Sequence, residues 1–394
     1  MIEKSALQND KTSIIFTGDI GFDRYMSCRW ADDKLLSPEL LDFFKGGDHV
    51  CINVEGAVIN VDDIAPKGQF FHAMDPGAIR VFNRIGADLW SIGNNHTMDA
   101  GEAGVISTAE YAVKCGAKHF GAGINEREAS EPVYLDEAGG IGIIGVTYTD
   151  ENATATDTRA GFFRWDDMAL IRARIAEIKA RCRWCVVVAH GGEEFAPMPI
   201  PYTRARFSEY LDMGADVVVG HHPHVPENYE TTKDGKIIFY SLGNFIFDTD
   251  YQRVHPYTDI GVLLKLVFSP DKVEFEAVGT KIDRTSERII IGALPDIFTD
   301  VGADEYELLA PLAARAFMTA ERKKMIYLEP ERFTNITPEG WDSYVFSTEP
   351  DGYTKGTHMD LSIIAPLADK ASDGAWKDSK LDGVKDYLLN QIHG

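Results

Sequence analysis

Between residues 13 and 278 of this 394-residue chain, short β-branched apolar runs alternate with segments of helical period, and few folds accommodate that pattern. Ser13–Thr17, His49–Val54, Asp88–Ile92, Ile141–Val146, Trp184–Ala189, Asp216–Val219 and Ile237–Leu242 read as strands. Pro38–Phe44, Pro76–Ile85, Gly101–Cys115, Asp166–Arg181 and Thr203–Met213 read as helices. The third of these has apolar spacing at Ala103, Ile106, Ala109 and Val113, and Thr203 stands where the last would be capped. Strands and helices in succession predict an α/β layered fold, each sheet covered by helices. Gly261–Phe268 and Lys272–Val278 flank Ser269-Pro270-Asp271 and predict a β-hairpin. Past about residue 285 the character changes to a long amphipathic helix at Glu305–Lys324, a proline-bearing stretch and a closing helix at Lys380–Ile392. Residues 12–285 are therefore expected to form the main domain, and 286–394 a helical and loop-rich extension or cap.

Six polar motifs lie at the ends of apolar runs: Gly18-Asp19, Asn53-Val54-Glu55, Gly93-Asn94-Asn95-His96, Ala189-His190-Gly191-Gly192, Gly220-His221-His222-Pro223-His224 and Gly243-Asn244-Phe245. In open α/β sheets ligands bind at the carboxyl ends of strands, so residues distant in sequence converge on one rim. Packing does not account for the three histidines at 221, 222 and 224, because each ring carries two nitrogens that need partners when buried. Carboxylate together with neutral imidazole is the ligand set of zinc, iron and manganese. Asp19 and Glu55 offer hard oxygens, Asn95 a neutral carbonyl oxygen, and His190, His222 and His224 imidazole. Such a mixture holds one or two divalent ions, two of them bridged by a carboxylate at a separation of about 3.5–4 Å. Nothing in the residues chooses between manganese, zinc and iron.

Charge narrows the partners. With 62 acidic residues against 39 lysines and arginines the formal net charge is −23. Nucleic-acid binders show a basic footprint, and anionic membranes attract basic segments, so both are disfavoured. An anionic polymer, peptide or phosphoester substrate needs local attraction from a metal or a basic pocket. Lys67, Arg24 and Arg164 could supply it, although surface salt bridging is the commoner use of such side chains. Five cysteines form no evenly spaced framework, and Cys182-Arg-Trp-Cys185 has no second C-x-x-C beside it, so free thiols in a reducing compartment are expected. No run of about 18 apolar residues suggests a membrane span. Met1–Thr12 lacks the features of a secretory signal, and a cytoplasmic protein is expected.

The series Gly-Asp, Asn-x-Glu, Asn-Asn-His, His-x-Gly-x-Glu, Gly-x-His-Pro-His-Val and Ser-Leu-Gly-Asn-Phe resembles the CapA group. These are poly-γ-glutamate capsule-synthesis-type proteins within the calcineurin-like metallophosphoesterase superfamily. The resemblance covers roughly residues 12–285, is most specific at Gly93–Gly101 and Gly214–Asp248, and includes the loop from Pro66-Lys67-Gly68 through Phe71 and Pro76. It implies a four-layer α/β/β/α sandwich with a di-metal site on the strand rim, and Asp19, Glu55, Asn95, His190, His222 and His224 as ligands. His96 resembles the superfamily's catalytic histidine, which protonates a leaving group, and Asp99 could orient it. The His-x-His pair is His222 and His224, which sets His221 aside. Glu194 matches the family's acidic position, as a general base or as support for a ligand. His72 lies in the family-like loop, and Asn244 is a candidate for substrate contact. Two departures stand out. The superfamily opens with Asp-x-His where this chain has Asp19-Ile20-Gly21, so one metal position loses a ligand, and Asp23 could approach it if the loop folds back. Gly191 also stands where the family often carries an aromatic.

Three functions fit. The first is a metal-dependent hydrolase in which the ion acidifies water and polarises a phosphoryl or carbonyl oxygen, with His96 as general acid. The second keeps the metal but hydrolyses, transfers or epimerises at a peptide or amide group. The third is a metal-stabilised, non-catalytic component of polymer biosynthesis.

Overall fold

The structure, a computed structural model, describes residues 11–63, 70–148, 153–335, 337, 367–368, 370–371 and 381–393. Two sheets face one another. The first runs, in spatial order, through Arg288–Gly292, Val273–Asp283, Ile260–Phe268, Thr12–Ile20, His49–Val54, Leu89–Ser91 and Lys118–Phe120. Asn244–Ile246 adds in parallel against the end of Thr12–Ile20. The second sheet runs through Tyr229–Thr231, Ile237–Phe239, Val217–His221, Trp184–His190, Ile141–Thr147 and Val133–Leu135.

Successive side chains of a strand point to opposite faces, and here both faces are buried. Ile14 and Phe16 meet Val186, Val188, Val219 and Leu264 between the sheets. Ile15 turns the other way, into a layer with Leu40, Phe82 and Trp90. On the far side Ile144 and Val187 pack against Ile171 and Ile175 of the helix Met168–Arg181 and Phe207 of Pro201–Asp212. Three apolar layers between four structural ones make the α/β/β/α sandwich that the resemblance implied. Trp90 and Phe245 belong to its core.

Two local expectations need correction. Of the four spaced positions the helix Gly101–Lys114 buries Ala109 and exposes Ala103, Ile106 and Val113, and it buries Gly104, Val105, Thr108 and Ala112 beside Ala109. Close approach decides this: a Cβ on Gly104 would lie 2.9 Å from that of Ala57, and the Thr108 hydroxyl accepts from the Val58 N–H at 2.8 Å. Small residues let the helix settle onto the backbone, which outweighs burying the larger side chains. Thr203 caps nothing, since its helix begins at Pro201 behind Ile200. Its buried hydroxyl instead donates to Glu193 Oε1 at 2.6 Å. The hairpin forms as expected, with Phe268 opposite Val273. Cys182 and Cys185 are free thiols, one at a helix end and the other buried in a strand.

Sheet pairing continues beyond residue 285, because Arg288–Gly292 is the edge strand of the first sheet. The long helix Ala303–Leu328 then returns across the molecule. Its Leu309, Leu312 and Ala316 pack with Met198 and with Val384 and Leu388 of the helix Asp382–His393. Phe317 and Met318 cover Ala196 and Ile200. Among the described residues, no helix is long and apolar enough to cross a membrane.

Candidate metal centre

Asp19 sits where its strand changes register with both neighbours. The pairing with His49–Val54 shifts between Phe16 and Asp19, and that with Asn244–Ile246 shifts between Asp19 and Ile20. Such irregularities re-aim a side chain at the end of a ladder. Glycine at 18 makes the approach feasible, because a Cβ there would lie 2.2 Å from the Gly243 carbonyl oxygen. The Asp19 N–H donates to that same carbonyl at 2.9 Å. The redirected carboxylate is fully buried and meets three side chains. Asn53 Nδ2 donates to Oδ1 at 2.8 Å, His221 Nδ1 lies 3.1 Å from Oδ1, and His224 Nδ1 lies 3.2 Å from Oδ2. Burial alone would raise the pKa of Asp19, but the bonds from His221 and then His224 hold it well below the usual carboxylate range.

The second strand delivers Glu55, which is 0% exposed, and neither of its carboxylate oxygens has a hydrogen-bond partner. Oε1 lies 3.5 Å from His224 Nε2 and 3.7 Å from His190 Nε2. Those separations exceed a hydrogen bond. They are the spacing of two donors on a shared ion, since metal–ligand bonds of about 2.0–2.2 Å put tetrahedral neighbours roughly 3.4 Å apart. Burial, then repulsion from Asp19, pushes Glu55 well above its ordinary pKa. Burial likewise draws His190 well down and His222 to about 3. A buried carboxylate without partners is costly unless a cation compensates it, and neutral imidazole is the form that ligates.

Three donor groups emerge, each with its donor atoms within 4.8 Å of one another: Asp19–Glu55–His224, Glu55–His190–His222 and Glu194–His222–His224. The first two share Glu55. Asn95 lies against the Glu55–His190–His222 group, its Oδ1 in a hydrogen bond with His190 Nε2 at 2.8 Å. His222 Nδ1 is buried without a partner. Backbone conformation at this corner is unusual: φ is +102° at His222 and +59° at His224. Non-glycine residues in such regions cost of order 1–3 kcal/mol each and cluster at functional sites. The donor set, its orphaned atoms and its shared carboxylate fit one or two divalent ions.

Ring orientation is set by other members of the same motifs. Asn244 Oδ1 lies 3.1 Å from His224 Nδ1, while its Nδ2 donates to the Thr258 carbonyl at 2.9 Å. With the proton on Nδ1, His224 turns its Nε2 lone pair towards Glu55. Asn244 thus orients the His224 ring. His221, set aside in the sequence, touches Asp19 directly, and so does Asn53. Asn94 is fully buried and ties two motif loops together, donating to the Val54 carbonyl at 2.7 Å and accepting from the N–H groups of Gly56 at 3.3 Å and His96 at 3.1 Å.

His96 lies beside the donors. Its Nδ1 is 2.8 Å from Asp99 Oδ2, and its Nε2 is 3.0 Å from Asn95 Nδ2. Asp99 Oδ2 also accepts from the His72 N–H at 2.7 Å. The His72 ring stands edge-on to His96 with centroids 4.2 Å apart. Its Nδ1 pairs with Asp23 Oδ2 at 2.5 Å. That pairing places Asp23 on His72, and Asp23 belongs to none of the three donor groups, so the structure gives no support for its replacing the absent histidine. Burial, then His72, lowers the pKa of His96 against the pull of Asp99.

A cavity of about 410 Å³ opens over His96, Asn95 and His224 and is walled by Arg24, His72, Glu194, Phe70, Tyr251 and Tyr327. Lys324, from the long C-terminal helix, reaches into the same cavity and donates to Glu194 Oε2 at 2.6 Å. The Tyr251 hydroxyl donates to that oxygen at 3.1 Å. Burial would raise Glu194, but Lys324, then His222 and His224, hold it well below the usual range. A carboxylate so held is a weak proton acceptor, which counts against the general-base role. Arg164 is engaged by Asp166 at 2.6 and 2.8 Å and does not line the cavity. Lys67 lies outside the described residues.

The family model described as bacterial capsule synthesis protein PGA_cap matches residues 13–249, a span holding every donor named above. The chain belongs to that family. It is 29% identical over 260 residues to the capsule biosynthesis protein CapA of Bacillus anthracis, covering 62% of each chain. It is 30% identical over 253 residues to the PGA biosynthesis protein CapA of Bacillus subtilis, covering 62% of this chain and 66% of that one. The chain thus spans just under two thirds of the length of these curated relatives. Among solved structures, the Haemophilus influenzae NAD nucleotidase superposes with a TM-score of 0.41 at 13% identity, covering 72% of this chain and 50% of that one. The PGA_cap match ends at residue 249, so Lys324 and Tyr327 lie outside the family's matched span although they complete the cavity wall.

Proposed function

We propose that this chain is a metal-dependent, hydrolase-type enzyme acting on an anionic capsule polymer of the poly-γ-glutamate kind, or on a related phosphoester or peptide. The observation that carries this reading is Glu55, buried without hydrogen-bond partners and shared between two donor groups beside an Asp-oriented histidine. Asp19, Glu55 and His224 would hold one divalent ion, and Glu55, Asn95, His190 and His222 a second. A divalent ion held there supplies Lewis acidity, polarising a phosphoryl or carbonyl oxygen and acidifying water.

The chain's own groups supply the rest. Asp99 fixes the His96 ring through Nδ1, which leaves Nε2, 3.0 Å from Asn95 Nδ2, as the atom that would exchange a proton. When Nε2 carries a proton, the Asp99 carboxylate stabilises the imidazolium until it is given to a leaving group. Arg24 lines the cavity beside the Lys324–Glu194 ion pair and would meet an anionic substrate there. A peptide or amide bond is the second reading, favoured by the three-membered Asp19 group, which lacks the histidine of Asp-x-His.

His96→Ala is expected to abolish turnover of p-nitrophenyl phosphate, or of a γ-glutamyl peptide, while leaving metal content intact. The substrate that the wild type turns over separates the two readings. Full turnover in His96→Ala would overturn the assignment of His96.

A further inference from the structure

We propose that Glu194 is itself a metal ligand, donating beside His222 and His224. This rests on the metal reading above. Glu194, His222 and His224 place one donor atom each within 4.8 Å of one another. His224 also belongs to the Asp19–Glu55 group, and His222 to the Glu55–His190 group. Glu194 therefore meets both groups through their histidines, as Glu55 meets both from between His190 and His224. Glu194, His222 and His224 thus make a third group of three donors, which takes one histidine from each of the other two.

The surroundings hold Glu194 in this role. Its side chain is 16% exposed and lines the cavity. Lys324 Nζ and the Tyr251 hydroxyl both donate to Oε2, so the carboxylate is oriented through one oxygen and can ligate through the other. The next residue locks the loop: Phe195 has φ of +61°, and its N–H donates at 2.8 Å to the carbonyl of Pro223, which stands between His222 and His224. The Gln391 side chain donates to the Phe195 carbonyl at 3.0 Å. The loop carrying Glu194 and the loop carrying the two histidines are thereby one unit, braced by the C-terminal helices. Lys324 pairs with the oxygen that does not ligate.

The test is calorimetric titration of the chelator-stripped full chain with Mn²⁺, for wild type, Glu194→Gln, Glu194→Asp and Lys324→Met. Glutamine keeps the shape of the side chain and removes the charge. Glu194→Gln is expected to weaken one of two binding steps by at least about tenfold, with the melting temperature of the metal-free protein unchanged. Glu194→Asp, whose oxygens are drawn back by one methylene, is expected to weaken the same step to a smaller degree, and serves if the glutamine variant does not fold. Lys324→Met, which retains the carboxylate, is expected to keep both steps. Two unchanged steps in both Glu194 variants would overturn the proposal, leaving Glu194 only as the ion-pair partner of Lys324. Loss of a step in Lys324→Met alone overturns it as well. A wild-type chain that binds no Mn²⁺ overturns the underlying metal reading, an outcome read without any variant.

Discussion

Asparagine at position 99 would change one property of the site at a time. Both hydrogen bonds to Asp99 fall on Oδ2, from His96 Nδ1 at 2.8 Å and from the His72 N–H at 2.7 Å. An asparagine carbonyl in the same place accepts both and lacks only the charge. Hydrogen bonds to charged groups contribute roughly 1.5–3 kcal/mol and neutral ones about 0.5–1.5. The difference, about 1–1.5 kcal/mol, corresponds to about one pKa unit on His96 and about a tenfold loss in imidazolium population. Asp99→Ala removes the acceptor altogether. The His72 N–H is then left unsatisfied in a largely buried place, costing roughly 1–3 kcal/mol of stability. The imidazole also loses its orientation, and general acid–base catalysis of this kind contributes about 10²–10⁴-fold. Histidine NMR reads the His96 pKa, p-nitrophenyl phosphate or a γ-glutamyl peptide reads turnover, and elemental analysis reads metal content. The expected order is wild type, then Asp99→Asn about tenfold slower, then Asp99→Ala slower still, all with equal metal. Equal turnover in all three, or metal lost together with the charge, would refute this account of His96.

Elsewhere, His49 Nδ1 lies 2.6 Å from Asp88 Oδ2, and that bond raises the pKa of His49. A histidine whose folded pKa is raised contributes stability that is full below its unfolded value of about 6.5 and is lost as pH rises through the folded pKa. The stability gap between wild type and His49→Gln in urea is therefore expected to be largest in mild acid and to shrink above neutrality; a gap constant from pH 5 to 9 contradicts it. Leu309, 0% exposed, anchors the long helix against Met198. Leu309→Ala should cost about 2–5 kcal/mol in urea denaturation, and a loss below about 1 kcal/mol would show that the helix is not docked as described. A Cβ at Gly220 would lie 1.8 Å from the Tyr240 carbonyl oxygen, a clash with backbone. Gly220→Ala should be insoluble or melt far below wild type; a native melting temperature contradicts the crossing.

Much of the site is visible in the sequence because each donor follows a run of β-branched residues, and strand ends on one rim are neighbours by topology. Asp19, Glu55, Asn95, His190, His222 and His224 come together for that reason. The supporting contacts were not visible, because they depend on local departures from regular pairing. Asn53 and His221 reach Asp19 only through the register shifts at the end of its strand, which no alternation of apolar residues encodes. Asn244 reads in the sequence as a candidate for substrate contact, and its contact with His224 follows from the pairing of its strand against Asp19. Lys324 was hidden differently. It is one of many charges on an amphipathic helix far along the chain, and only the packing of Phe317 and Met318 on Ala196 and Ile200 brings it to Glu194. The buried face of Gly101–Lys114 was misplaced because side-chain size was weighed above closeness of approach, whereas Gly104 and Thr108 are the residues that let the helix sit on the Ala57–Val58 strand.

Elemental analysis of the purified full chain, before and after reconstitution with manganese, zinc or iron, is the most direct test of the metal centre. The expected result is close to two ions per chain after reconstitution, and less than one in Glu55→Ala, whose carboxylate is shared by two of the donor groups. A folded wild-type chain that holds no metal after reconstitution with any of the three would contradict it.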